Sequence, residues 1–301
     1  MYTWRKFKTL FAALILSILS MGTVNAIPIS ADVISIIDES GSMSGEHAWI
    51  GGMITNLDSE LLTAGVGTGT QTNRYGMTGF GNILHDSSGG LTQEPHKHVV
   101  GGGDFGTAAD FAAATPSLDL TGSLEDGWAG INFAMNNYTL NSNAAINMIL
   151  VSDEDRDNSD PSLTYDSVLN DLLSNNALLN AVVNATFRCG DGSSALGIDS
   201  NGTGYKADGA GGFTTCDNAI ATIGFGTTIT DYVNLALATG GAAWDLNQLR
   251  SGGLTATSFT AAFVDIKVQE IVNTPVPEPH SLTLLCLSLA GIGFVKRRNS
   301  K

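Results

Sequence analysis

Residues 32–37 (DVISII) form a short apolar run without alternation, the pattern of a strand buried on both faces. From about 46 to 64 the apolar positions recur instead at helical spacing, at Trp49, Ile50, Met53, Ile54, Leu57 and Leu61. Strand patterns return at 74–80 and 96–100 with a Gly-rich loop between them, and helical patterns follow at 106–114 and 124–138. Ala145–Val151 (AINMILV) is the clearest strand of all. After it the chain predicts a helix at 162–175, a strand at 178–187, a helix at 230–239, a short strand at 241–246 and a final helix at 256–271. Strands alternating with helices predict an α/β fold, a doubly wound, mostly parallel sheet flanked by helices.

Residues 188–219 break that rhythm. They are rich in Gly, Asp, Ser and Thr, show no amphipathic period, and are bracketed by Cys189 and Cys216. They read as an inserted loop or hairpin tied at its base. No period of 20–50 residues recurs, so the chain is not a repeat array. Trp49, Trp128 and Trp244 all fall at helix or strand positions and read as core.

Both ends differ from this middle. Residues 1–26 open with Arg5, Lys6 and Lys8, continue through the apolar stretch 9–20, and end at the small-residue site Val24-Asn25-Ala26, the plan of a cleaved secretory signal. At the other end Pro277-Glu278-Pro279 precedes the apolar stretch Ser281–Val295 and then Lys296-Arg297-Arg298. A helix-breaking polar motif, a short membrane segment and a basic cytoplasmic stop follow one another there. The domain plan is therefore 1–26, 27–274 and 275–301.

Charge narrows the partners. The formal charge is −15, and charged residues make up 14% of the chain, against roughly 25% in an average soluble domain. Three of the 14 basic residues lie before residue 10 and four after residue 295, while Glu278 is the only acid outside residues 27–276, so that middle stretch carries −21. A nucleic acid needs a neutralising basic surface, and this surface is the reverse; cations fit it. Of the three cysteines, Cys286 lies in the C-terminal apolar stretch. Cys189 and Cys216, with no His or Cys beside them, predict a disulfide of an oxidising compartment, stabilising by about 3–4 kcal/mol through the ring it closes.

Candidate chemistry gathers at strand ends, where doubly wound sheets place ligands. Asp38-Glu39-Ser40-Gly41-Ser42 directly follows the strand at 32–37, and Asp153 follows the strand at 145–151, with Asp155, Asp157 and Asp160 close behind. Leu120-Thr121-Gly122-Ser123 stands just before a predicted helix. Carboxylates and hydroxyls are hard oxygen ligands suited to Mg²⁺ or Mn²⁺, with Ca²⁺ as an alternative.

At these residues the chain resembles the von Willebrand factor type A domain and its metal-ion-dependent adhesion site. Asp38, Ser40 and Ser42 match the family's Asp-x-Ser-x-Ser, and Asp153 matches its later Asp, with Ser-Asp-Glu where Thr-Asp-Gly is usual. The family's Thr falls on Thr121, with Ser123 as the alternative. The resemblance covers roughly residues 31–272, and the stretches 86–106 and 188–219 depart from the family core. It implies a metal held by Asp38, Ser40, Ser42, Thr121 and Asp153 with one open position for a carboxylate of an extracellular protein or matrix partner. The C-terminal arrangement resembles the PEP-CTERM sorting signal, in which an exosortase-type protease acts at Pro277, Glu278 and Pro279. Together these imply an exported, non-enzymatic adhesion protein of the cell surface or biofilm matrix, with transient membrane association through residues 281–295. Two alternatives are a structural matrix protein with a fold-stabilising metal and a hydrolase using the metal or Ser42. A serine hydrolase of the elbow type is excluded, since Met43 occupies the third position of Gly41–Gly45. Asp153-x-Asp155-x-Asp157 begins like a calcium loop, but Asn158 and Thr164 stand at its sixth and twelfth positions. His96 and His98 lie two apart, on one side of a strand, and with His85 have the residue types of a transition-metal site; a surface pair is the simpler reading.

Overall fold

In the computed structural model the chain runs through β1 (Ser30–Asp38), α1 (Ser44–Thr63), β2 (Arg74–Phe80), β3 (His96–His98), α2 (Ala108–Ala114), α3 (Gly127–Asn137) and β4 (Ala144–Ser152). It continues through α4 (Tyr165–Ser174), β5 (Ala177–Val183), β6 (Ala185–Arg188), β7 (Ser194–Ala195), β8 (Gly197–Asp199), β9 (Gly204–Ala207), β10 (Phe213–Cys216) and β11 (Ile220–Gly224). After a π-helical turn at Ile229–Val233 come α5 (Asn234–Ala238), β12 (Ala242–Asp245), α6 (Leu246–Arg250) and α7 (Gly253–Asn273). The structure describes residues 30–81, 84–85, 91–92 and 95–274, all within the unit Pro28–Thr274. The expected signal at 1–26 and the sorting segment at 275–301 lie outside the described residues. No described helix is long and apolar enough to cross a membrane.

The main sheet has nine strands in the order β10-β9-β8-β12-β5-β4-β1-β2-β3. β2, β1, β4, β5 and β12 are mutually parallel, and β3 closes one edge antiparallel to β2. Read from β3 to β12, this is the doubly wound order 3-2-1-4-5-6, whose direction reverses between β1 and β4. The expected fold class stands. β1 and β4 are buried at every position because helices cover both faces, which is why they read as unbroken apolar runs. Side chains alternate between the two faces along β1. Val33 and Ile37 join Ile50, Met53, Ile54 and Leu57 of α1 and Phe259 and Phe263 of α7. Ile34 and Ile36 join Ile131 of α3, Leu172 of α4 and Leu235 of α5 on the other face.

Two expectations change. The strand expected at 178–187 is broken at Asn184: β5 stays in the main sheet, while β6 joins a second, three-stranded sheet in the order β11-β6-β7. An apolar run records burial and not which sheet receives it. The insertion at 188–219 is more than a tied loop, since β8, β9 and β10 extend the main sheet antiparallel from β12. These strands are three or four residues long, too short to display a period. The Cys189–Cys216 disulfide is formed, with its Cα atoms 5.8 Å apart, and ties the end of β10 to the residue after β6. Trp244 and Trp128 are buried, and Trp49 packs edge-on against Phe259 and Phe263, so all three serve the core.

Candidate metal centre

β1 and β4 end side by side at the reversal of strand order, and their last residues deliver the site. Asp38 closes β1 and is fully buried. Its Oδ1 accepts the Ser40 backbone N–H at 2.7 Å, and its Oδ2 accepts the Ser152 hydroxyl at 3.1 Å. His47 of α1 contacts the Asp38 carbonyl through Nε2 at 2.7 Å and holds the turn from β1 into α1. Beyond that turn Ser40 Oγ and Ser42 Oγ lie 3.1 Å apart, and Ser42 Oγ donates to Asp153 Oδ1 at 3.0 Å. Asp38, Ser40, Ser42 and Asp153 are thus brought together by hydrogen bonds between two loops 111 residues apart in sequence.

The third loop also arrives. Ser40 and Gly122 form a parallel β-bridge, and the Gly122 N–H donates to the Glu39 carbonyl at 3.0 Å. Thr121 and Ser123 flank Gly122 at the exposed rim. The side chain that this loop sends into the carboxylate cluster is Glu125, which the sequence reading missed. Asp38, Glu125 and Asp153 are all buried, and one carboxylate oxygen from each lies within 4.8 Å of the others. Glu125 is fixed through its backbone, donating its N–H to Asp157 Oδ2 at 2.8 Å and accepting the Asp157 N–H at 3.0 Å. Its place four residues after Thr121, ahead of a helix capped by Asp126, was the available signal.

Burial sets the protonation of this cluster. The Glu125 carboxyl is pushed up to about 9 by burial, then by its hydrogen bond to Asp38 and the Asp38 charge. Asp38 is also raised, mainly by burial and further by the Asp153 charge, against the lowering effect of hydrogen bonds from Glu125 and Ser40. Glu154 is raised by burial and by the charges of Asp153 and Asp157. Arg250 of α6 partly offsets this crowd of acids. Its Nη2 reaches Asp153 Oδ2 at 2.9 Å and the Ser42 carbonyl at 3.1 Å, while its Nε binds Glu46 Oε1 at 2.7 Å. Arg250 and Glu46 were also missed, because only the fold carries α6 back to the mouth of β1.

Three carboxylates and two serine hydroxyls make a hard, oxygen-only donor set, and like charges this close favour a bound cation. The set fits a divalent ion of the Mg²⁺, Mn²⁺ or Ca²⁺ type. The other acids of the Asp153 loop do not join it. Asp155 Oδ2 accepts the Thr227 N–H at 3.0 Å, and Asp160 Oδ1 accepts the Ser162 hydroxyl at 2.6 Å, so both tie neighbouring turns. Ser42 Oγ meets Ser40 Oγ and Asp153 Oδ1, while the nearby imidazole of His47 is turned to the Asp38 carbonyl.

The fold and site define a doubly wound α/β domain with an acidic hydroxyl-bearing cluster at its switch point, followed by a sorting segment. The family model of the PEP-CTERM protein-sorting motif matches residues 275–298. Solved structures similar to this chain include a von Willebrand factor type A protein from Catenulispora acidiphila, at 16% identity and a TM-score of 0.34, over 51% of this chain and 33% of that one. Another is proximal thread matrix protein 1 from the mussel byssus with a zinc-occupied MIDAS motif, at 15% identity and a TM-score of 0.38, over 53% and 37%. A third is the pilus adhesin SpaC from Lactobacillus rhamnosus GG, at 12% identity and a TM-score of 0.44, over 82% and 31%. The chain therefore spans about a third of the length of these proteins. No curated protein sequence matches it.

Proposed function

We propose that this is an exported, non-enzymatic adhesion protein whose domain, residues 27–274, binds a divalent cation and through it a carboxylate on an extracellular protein or matrix partner. Asp38, Ser40, Ser42 and Asp153 hold the ion, Mg²⁺ or Mn²⁺ in preference to Ca²⁺, with Thr121 or Ser123 supplying the rim ligand. Residues 1–26 are removed on export, and an exosortase-type protease acts at Pro277-Glu278-Pro279 after brief membrane association through residues 281–295. The protein then resides on the cell surface or in a biofilm matrix. The observation that carries the reading is the convergence of three loops on one cluster of oxygen ligands at the switch point.

Glu125 alters the charge argument. With three ionised carboxylates the site would be net negative even with a divalent ion bound and would repel a partner's carboxylate. A protonated Glu125, as its raised pKa favours at neutral pH, leaves two carboxylate charges that balance the ion, so a partner's carboxylate can take the open position without net repulsion. Calorimetric titration of Mg²⁺ and Mn²⁺ into the metal-stripped full chain tests the site. One saturable site that disappears in Asp38→Ala is expected, and absence of binding by the wild type overturns the reading.

The burial of Asp38, Glu125 and Asp153 favours a second reading, a matrix protein whose metal only stabilises the fold. Under adhesion, EDTA abolishes capture of the chain on a carboxylate-bearing surface at a temperature where circular dichroism still reports a folded domain. Under the second reading EDTA lowers the melting temperature and leaves capture unchanged.

A further inference from the structure

Glu39, the residue between Asp38 and Ser40, turns away from the first cluster. Its side chain is fully buried and meets His96 and His98 of the edge strand β3. His96 Nε2 stands 3.2 Å from Glu39 Oε2, and His98 Nε2 stands 3.1 Å from Glu39 Oε1. The two rings lie side by side, 4.8 Å between centroids, as residues two apart on a strand must.

These contacts have the distances of ion pairs without the angles of hydrogen bonds, since Glu39 Oε2 and His98 Nε2 both lack a hydrogen-bond partner. The proton inventory around His98 explains why. Ser117 Oγ has one proton and donates it to the Ala114 carbonyl at 2.7 Å. His98 Nδ1, 2.8 Å from that oxygen, must therefore be the donor, so the tautomer that can bind a metal carries its lone pair on Nε2. That lone pair faces a carboxylate oxygen, an arrangement of two acceptors that a cation between them turns from repulsive to favourable. Two ligand atoms bound tetrahedrally to zinc, each about 2.0–2.1 Å away, stand roughly 3.3 Å apart, which matches the 3.2 Å between His96 Nε2 and Glu39 Oε2.

The surroundings are built around this point. Glu39 Oε1 accepts the Asp119 N–H at 2.8 Å, which orients the carboxylate and leaves Oε2 for a ligand role. Ser117 orients His98 in the same way. Gly79 of β2 lies against the group, and a Cβ there would stand 2.8 Å from His98 Nε2 and closer still to Glu39 Oε2. The absence of a side chain at 79 keeps the space open. The side chain of His85, grouped with this pair in the sequence reading, lies outside the described residues.

We propose that Glu39, His96 and His98 form a second metal site, for a borderline transition-metal ion of the Zn²⁺ class. The site is distinct in chemistry from the oxygen-only cluster and does not rest on the adhesion reading. Nitrogen ligands select it for Zn²⁺ or Co²⁺ over Mg²⁺. A metal there clamps the loop between Asp38 and Ser40 to the edge strand.

The test uses Co²⁺ as a spectroscopic probe on the metal-stripped full chain in excess Mg²⁺. Wild type and Asp38→Ala are both expected to develop the visible absorption of tetrahedral cobalt and to bind one equivalent. His98→Gln and, at the more exposed position, His96→Gln are each expected to weaken that binding about tenfold or more, with circular dichroism unchanged. No tetrahedral band in the wild type overturns the proposal, as does a band lost in Asp38→Ala and kept in both histidine variants.

Discussion

At Glu125 burial and the neighbouring Asp38 act in the same direction and hold the carboxyl protonated up to about pH 9, far above the 4.5 of an exposed glutamate. Between those values the folded chain binds a proton that the unfolded chain has lost, so this residue's contribution to stability falls as pH rises from 4.5 to about 9. In EDTA the melting temperature is therefore expected to decline across that window, and Glu125→Gln to flatten the decline; an equal slope in the variant would assign the effect elsewhere. Residue identity alone showed that Asp38, Ser40, Ser42 and Asp153 have ligand chemistry. Whether a neighbour such as Glu125 points inward depends on the turn that carries it, and no local pattern encodes that.

At the scale of elements, α7 buries an ion pair under the sheet. Lys267 is wholly buried, its ammonium 3.4 Å from Glu270 Oε2, and Glu270 is held in turn by Asn180 of β5 at 2.7 Å. Burial lowers the Lys267 pKa and raises that of Glu270, each effect opposed by the partner's charge. Removing one partner strands the other, so Lys267→Met is expected to cost about 3–5 kcal/mol of unfolding free energy in urea titrations. Lys267→Met with Glu270→Leu should recover most of that loss; no recovery would show that packing, not charge, sets the cost. Element positions were largely legible, with β2 falling at the expected 74–80 and β4 within one residue of its apolar run. The expected strand at 178–187 was legible as strand but not as two strands in different sheets, because Asn184 interrupts the run no more than Asn180 does. Asn180 stays inside the main sheet because it bonds Trp244 Nε1 and Glu270, both from distant segments.

For the whole molecule, the sorting motif sets a separate expectation. Replacing Pro277, Glu278 and Pro279 by Ala should leave the chain in the membrane fraction at its unprocessed mass on immunoblots, while the wild type is released shortened; identical masses would remove the exosortase assignment. Sequence by itself determined the α/β class, the core faces, the cysteine pair and four of the residues that meet in the first cluster, because burial periodicity, ring closure and the oxygen chemistry of side chains are local properties of residues and spacings. Tertiary structure alone decided that β8–β10 widen the sheet, that Glu125 and Arg250 set the charge of the first cluster, and that Glu39 leaves it for two histidines on the far edge strand. Those outcomes turn on distant backbone segments meeting with a defined register and direction, which strand pairing and helix packing impose across the whole domain.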